Sequence, residues 1–109
     1  MDFNEYQEKA KETAIYPKLS PSWLFPSIGL SGELGEVMEK LKKIIRDDNG
    51  IITDEKKTEL KREIGDILWY LSILSHELGL SLQEIAETNI EKIKSRHQRG
   101  VVHGQGDNR

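Results

Sequence analysis

The sequence contains no cysteine, which excludes disulfides and zinc sites built from thiolates. It also has no excess of basic charge: the formal net charge is -3, which argues against a protein that binds nucleic acid by neutralising phosphates. Its apolar runs are far too short to cross a bilayer, and the first residues lack the apolar core of a secretion signal. We therefore expect a cytoplasmic protein with neither a membrane nor a nucleic-acid partner.

Proline is scarce and confined to one segment, which leaves the rest of the chain free to form long helices. All three prolines lie between residues 16 and 26, and we predict an ordered loop there because the same segment holds the apolar run Trp23-Leu24-Phe25. Apolar residues elsewhere recur with helical spacing, and no strand pattern is present. Asp2, Asp54 and Ser81 are predicted helix caps. Four helices are predicted, over 2–14, 27–47, 54–78 and 81–98, with a polar, glycine-rich tail over 100–109.

The predicted fold is all-α, with a single domain over 1–109. A chain this small buries a limited fraction of its surface. Its third predicted helix is apolar on nearly every side around Trp69 and Ile73, and a helix that is apolar all round is buried all round. We predict a four-helix bundle-like subunit completed by homo-oligomerisation, with Trp69 and Ile73 in the subunit interface. The alternative is that the loop over 17–26 covers these two side chains.

Two acidic motifs recur in similar surroundings, and each has the form carboxylate-x-x-carboxylate. Residues three apart lie on one face of a helix, so each motif offers two carboxylates to the same point in space. Four like charges are costly to gather unless a cation neutralises them, and Mg²⁺ prefers oxygen ligands. The alternative is that these are solvated residues of amphipathic helices, which explains one motif more readily than two. The sequence predicts a metal site at Glu33, Glu36, Glu63 and Asp66.

The helices that carry the two motifs each have one apolar stripe, and we predict both stripes to be core. In both helices the two carboxylates lie beside the stripe at the same two angles around the helix axis. The two pairs therefore occupy equivalent positions on the sides of two packed helices. The stripes consist of Leu34, Val37, Leu41, Ile44 and Ile45 on the earlier helix and of Ile64, Ile67, Leu71, Leu74 and Leu78 on the later one.

The fourth predicted helix carries a polar seam at helical spacing, Asn89-x-x-Lys92-x-x-x-Arg96. Asn89 falls within the apolar stripe of that helix, where a buried amide is costly unless it is hydrogen bonded. Two cations and an amide suit the phosphates and sugar of a nucleotide, although basic residues near a helix C-terminus also favour its dipole. An acidic metal site that faces a basic seam is the layout for binding metal-bridged phosphates.

At these residues the chain resembles the MazG-like nucleoside triphosphate pyrophosphohydrolases of the all-α NTP pyrophosphatase superfamily. The family pattern E-x-x-E, a spacer and E-x-x-D is matched by the four carboxylates, and the stretches 29–36, 63–70 and 104–109 match as well. The resemblance implies hydrolysis of a nucleoside triphosphate, standard or modified, to the monophosphate and pyrophosphate. It also implies Mg²⁺, with Mn²⁺ as a substitute, a homodimer or dimer of dimers, and a role in nucleotide-pool control or house-cleaning.

The same resemblance implies roles for individual residues. The four carboxylates would hold the metal, and Glu36 and Glu33 would serve catalysis, with Glu36 orienting the attacking water or accepting its proton. Asn89, Lys92 and Arg96 would bind the sugar and phosphates of the substrate.

Two aromatic residues are further candidates for substrate binding. Tyr70 and Trp23 could stack on the base of the nucleotide. Packing in the core is the alternative for both rings.

Two other classes of function stay open at this point. One is a non-catalytic helical module that binds nucleotide or another protein, which the intact carboxylates argue against. The other is a bundle that stores or senses divalent ions, which would have no need of the seam on the fourth helix.

Overall fold

The computed structural model describes residues 1–109 and contains four α-helices and no strand, which confirms the all-α prediction. The helices are α1 (Phe3–Glu12), α2 (Leu24–Asp48), α3 (Asp54–Glu77) and α4 (Leu82–Gln98). None of them is both long enough and apolar enough to span a bilayer. α2 packs along α3, α1 packs on α3, and α4 contacts α1 and α3 without approaching α2. The four helices therefore form an open arrangement within one chain.

Side-chain caps set the beginnings of α3 and α4. The Ser81 hydroxyl accepts a hydrogen bond from the backbone N–H of Glu84 at 3.2 Å, as the capping prediction requires. For α3 the cap is Thr53 and not Asp54, because the Thr53 hydroxyl accepts the backbone N–H of Lys56 at 3.2 Å. Asp54 instead lies in the first turn, where its negative charge is favourable beside the helix N-terminus.

The proline-rich loop before α2 is ordered but shorter than predicted. α2 begins at Leu24, three residues early, because Pro26 lies in the first turn, where a helix needs no backbone N–H. The ring of Tyr16 stacks on that of Phe25, with centroids 5.2 Å apart. The Tyr16 hydroxyl also donates to Glu77 Oε1 at 2.6 Å, so the loop is attached to the end of α3.

α2 and α3 form an antiparallel hairpin around a small apolar core. α2 ends at Asn49, which adopts the left-handed conformation with φ 53°, and four further residues lead into α3. The buried core side chains are Val37, Ile44 and Leu60, with Leu41 and Ile67 packed against them.

Only part of each predicted apolar stripe is buried within one chain. The part that faces the neighbouring helix is covered, whereas five members of the two stripes are 40–70% exposed. The prediction that both stripes are entirely core is therefore wrong for a single chain, because one neighbouring helix covers only part of a stripe this wide. The exposed members are Leu34, Ile45, Ile64, Leu71 and Leu78.

α1 covers the opposite side of α3. The side-chain amide of Gln7 donates to the carbonyl of Ser72 at 3.3 Å, and the indole N–H of Trp69 donates to the Thr13 hydroxyl at 2.9 Å. Ile73 is only 1% exposed in the single chain. The prediction of a subunit interface is thus wrong for Ile73, since α1 packs there instead. Trp69 is only half-buried within one chain, and its place in an interface stays a prediction.

Candidate functional site

The close approach of α2 and α3 brings the two acidic motifs opposite each other. Towards the beginning of α2, Gly29 lies against the ring of Tyr70, and a Cβ atom at position 29 would overlap that ring. Two turns further along α2, Glu36 lies against Glu63. Both pairs follow the same antiparallel register, so the contact at Gly29 and the meeting of the carboxylates belong to one packing arrangement.

Three of the four predicted metal ligands converge. Carboxylate oxygens of Glu33, Glu36 and Glu63 lie within 4.8 Å of one another. Asp66 lies outside this cluster, although its charge helps to raise the pKa of Glu63. The acidic cluster, as we call Glu33, Glu36 and Glu63, therefore has Asp66 at its margin.

The crowding of negative charge is visible in the pKa of Glu63, which is raised above the ordinary value of 4.5. The largest cause is a hydrogen bond with Glu36, and desolvation and repulsion from Glu36 and Asp66 add to it. Lys40 acts in the opposite direction, with its Nζ 4.0 Å from Glu63 Oε1 and 3.8 Å from Glu59 Oε2. Because Lys40 is shared with Glu59, it compensates the cluster only in part.

A divalent metal ion fits the acidic cluster. Glu33 has one buried carboxylate oxygen, Oε2, without a hydrogen-bond partner. A buried carboxylate oxygen without a partner is costly, and a cation bound at the cluster would satisfy it. The donor set consists of carboxylate oxygens, which are the ligands that Mg²⁺ and Mn²⁺ prefer.

The two aromatic candidates lie in different surroundings. Tyr70 contacts Gly29 and meets Trp69 edge to face, with centroids 5.0 Å apart, so packing accounts for the position of its ring. Trp23 lies immediately before α2 and is 42% exposed. Of the two, Trp23 is the more accessible to a ligand.

The residues of the seam on α4 have different surroundings: two line a cavity, and the third contacts the tail. Asn89 is exposed, contrary to the expectation of a buried amide, and it lines a cavity of about 370 Å³ together with Lys92. Arg96 is buried, and its Nη2 donates to Asp107 Oδ1 at 2.9 Å. α4 does not approach α2, so the structure does not bring the seam into contact with Glu33 and Glu36.

Sequence reasoning missed two residues beside these groups. Lys40 could have been found, because it follows Glu36 by four residues and therefore lies on the same helix face. Asp107 could not be placed by spacing, since its position depends on how the tail folds back onto α4.

Comparison with known proteins identifies the family. The model of the MazG nucleotide pyrophosphohydrolase domain matches residues 27–101, which include the acidic cluster, Asp66 and the seam on α4. This chain belongs to that family. The MazG assignment confirms the resemblance that the carboxylate pattern indicates, and it supports a nucleotide pyrophosphohydrolase.

Two relatives of this MazG-family protein differ in how much of the chain they share. It is 40% identical to the Gene 37 protein of Mycobacterium phage L5 over 114 residues, which cover 100% of both chains. It is 39% identical to the histidine biosynthesis bifunctional protein HisIE of Lactococcus lactis subsp. lactis (strain IL1403) over 69 residues. That match covers 60% of this chain and 31% of the HisIE protein. No solved structure matches.

Proposed function

We propose that this MazG-family protein hydrolyses a nucleoside triphosphate to the nucleoside monophosphate and pyrophosphate, with Mg²⁺ as its metal and Mn²⁺ as a substitute. The observation that carries the proposal is the convergence of Glu33, Glu36 and Glu63, with a buried Glu33 oxygen that lacks a partner. When bound, the metal would neutralise phosphate charge and lower the pKa of a coordinated water.

The residues of the hairpin would divide the remaining work. Glu33 and Glu63 would hold the metal from α2 and α3, and Asp66 would complete the set from the margin of the cluster. Glu36 orients the attacking water and accepts its proton, and its contact with Glu63 supports this role. The water oxygen then forms a bond to the α-phosphorus while the bond to the pyrophosphate breaks. Glu33, whose Oε2 has no other partner, would serve catalysis by holding the metal.

The substrate would be bound by groups outside the hairpin. Asn89 and Lys92 line one cavity and suit a sugar hydroxyl and a phosphate. Arg96 belongs to the same seam, and the exposed Trp23 offers a ring on which a base can stack. Tyr70 is the weaker stacking candidate, because Gly29 and Trp69 already pack against its ring.

We also propose that the protein works as a homodimer or a dimer of dimers. The exposed part of the α2 and α3 stripes is an apolar surface that a second copy would cover, and Leu34, Ile64 and Leu71 are 52%, 55% and 40% exposed on it. Because α4 does not approach α2 within one chain, contact between the α4 seam and the carboxylates of α2 would require a second copy. Sedimentation equilibrium at micromolar concentration measures this directly, and a monomer there would contradict the proposal.

The experiment that tests the reaction is a panel of standard and modified nucleoside triphosphates incubated with Mg²⁺. Pyrophosphate and the monophosphate are the expected products, and a chelator should abolish their release. Orthophosphate and a diphosphate as primary products would contradict the reaction. Tight nucleotide binding without any turnover would favour a non-catalytic nucleotide-binding module instead. The panel would also show whether a modified base is preferred, as a role in cleaning the nucleotide pool requires.

A further inference from the structure

The tail over 100–109 is a built element, held by arginine side chains that donate to its backbone carbonyls. Arg96 Nη2 donates to the carbonyl of Asp107 at 2.6 Å, and Arg99 Nη2 donates to the carbonyl of Arg109 at 2.6 Å. The guanidinium of Arg109 reaches back to the carbonyls of Val101, Gly106 and Val102 at 3.1, 2.5 and 2.9 Å. Because buried or folded backbone needs such partners, these bonds give the tail one defined course over the end of α4.

The path of the tail brings the carboxylate of Asp107 into contact with both cations of the seam, Lys92 and Arg96. Asp107 Oδ1 accepts from Lys92 Nζ at 3.0 Å and from Arg96 Nη2 at 2.9 Å. Both partners lower the pKa of Asp107, with the hydrogen bond from Lys92 as the largest cause. The carboxylate is therefore charged at neutral pH and bridges two residues one helical turn apart.

The two cations are left in different states by this bridge. The side chain of Arg96 is only 11% exposed, and both bonds of its Nη2 go to Asp107, so this nitrogen anchors the tail, while Arg96 Nε is buried without a partner. The side chain of Lys92 is 39% exposed, and Asp107 takes only one of its three N–H donors. Lys92 can therefore still donate to a ligand in the cavity that it lines with Asn89.

We propose that Asp107 is a positioning residue for substrate binding, which fixes the ammonium group of Lys92 at the edge of the α4 cavity where a substrate phosphate is bound. The physical reason is entropy: a free lysine has a flexible four-carbon stem, and a ligand that captures it must immobilise that stem. Asp107, itself held through its carbonyl by Arg96, restricts the stem before the ligand arrives. This inference rests on the proposed function, because it takes Lys92 as a phosphate ligand.

The test compares Asp107→Asn with the wild type in the full chain. Asparagine keeps the size of the side chain and the carbonyl bond to Arg96 but removes the charge. We expect KM for the nucleoside triphosphate to rise about two- to fivefold, the range for a partly exposed ion pair, with kcat unchanged. Asn108→Ala is the matched control, since it changes the neighbouring tail residue, which is exposed, and KM should stay at the wild-type value.

A double-mutant cycle with Lys92→Ala separates positioning from a general effect on the tail. Lys92→Ala alone should raise KM more than Asp107→Asn, and Asp107→Asn should have no further effect on KM in the Lys92→Ala background. An equal rise of KM in both backgrounds would overturn the inference, because Asp107 would then act only on folding of the tail. A fall of KM in Asp107→Asn would also overturn it, since Asp107 would then compete with phosphate for Lys92.

Direct binding distinguishes failure of the inference from failure of the proposed function. The probe is a nucleoside triphosphate with a non-hydrolysable α,β bridge, titrated with Mg²⁺ into each variant. Weaker binding by both Lys92→Ala and Asp107→Asn supports the positioning role. Binding that only Lys92→Ala weakens overturns the role of Asp107 and leaves the proposed function intact. Wild-type protein that does not bind the probe overturns both.

Discussion

The two charged regions of this protein differ in whether the chain compensates its own charge. In the hairpin, Glu33 keeps a buried oxygen without a partner, and Lys40 is shared between Glu63 and Glu59. On α4, by contrast, the carboxylate of Asp107 pairs with both Lys92 and Arg96, although Arg96 Nε is buried without a partner. An uncompensated group can still be satisfied by a ligand, whereas a compensated group is already held by its own chain. We therefore expect the hairpin to bind a cation, and we expect the α4 seam to be held in place and partly neutralised by its own chain.

The largest expected effect follows from removing an uncompensated ligand. Glu33→Gln keeps the shape of the side chain but loses its charge. We expect kcat to fall by about 100-fold or more, because mutation of residues that only hydrogen bond to metal ligands already lowers activity by about 10–100-fold. Asp66→Asn should cost less than Glu33→Gln, because Asp66 lies outside the cluster. Glu39→Gln is the control on the same helix, since Glu39 pairs with Lys42 and Lys43 away from the cluster. Steady-state pyrophosphate release measures all three.

If Glu39→Gln lost as much turnover as Glu33→Gln, the effect would come from charge on α2 in general and the cluster would have no special role. Equal losses in Glu33→Gln and Asp66→Asn would place Asp66 among the inner ligands once the metal is bound.

The second effect is stabilisation by the metal itself. Mg²⁺ at a hundredfold excess over its Kd should stabilise the wild-type protein by about 2.7 kcal/mol, because the ion binds the folded state only. Glu33→Gln should show a clearly smaller rise in melting temperature, whereas Glu39→Gln should respond as the wild type does. Thermal melts with and without Mg²⁺ provide the measurement. A metal-induced shift of the same size in Glu33→Gln would mean that Glu33 is not a ligand.

The third effect concerns the packing that brings the carboxylates together. Gly29→Ala would force the ring of Tyr70 away, and we expect a loss of about 1–3 kcal/mol in the free energy of unfolding. Gly32→Ala is the matched control on the same helix, where a Cβ meets nothing within 4 Å, and it should stabilise the fold by about 0.5–1 kcal/mol. Urea denaturation with chelator measures both. Stabilisation by both substitutions would show that the approach at Gly29 is not tight.

The hairpin could be predicted far better than the surfaces that cover it. Spacing alone predicts that Glu33 and Glu36 share one helix face, because residues three apart do so whatever surrounds the helix. The equivalent position of Glu63 beside the stripe of its own helix then predicts that the three meet when the stripes pack together, as they do. The same rules could not say that α1 would cover Ile73, since the choice of a packing partner depends on tertiary contacts such as those of Gln7.

The tail shows the other limit of sequence reasoning. The spacing of Lys92 and Arg96 was correct as a helical seam, but the partner of that seam lies in an irregular segment. Periodicity carries no information about such a segment, and the position of Asp107 depends on bonds between arginine side chains and carbonyls.

The smallest effect is a pH dependence of stability that has a different form in the two kinds of carboxylate. The pKa of Glu63 is raised in the fold, so its contribution to stability is fully present below the ordinary value of 4.5 and is lost as the pH rises through the raised pKa. With chelator present, the melting temperature of the wild type should therefore fall relative to that of Glu63→Gln as the pH rises from about 4.5 to 7. Glu39 is the opposite case: its pKa is lowered, first by a hydrogen bond from Lys42, so its contribution changes only below 4.5. The difference in melting temperature between wild type and Glu39→Gln should therefore stay constant over the same interval. If the difference between wild type and Glu63→Gln were constant as well, the carboxylates of the hairpin would not repel one another in the metal-free protein.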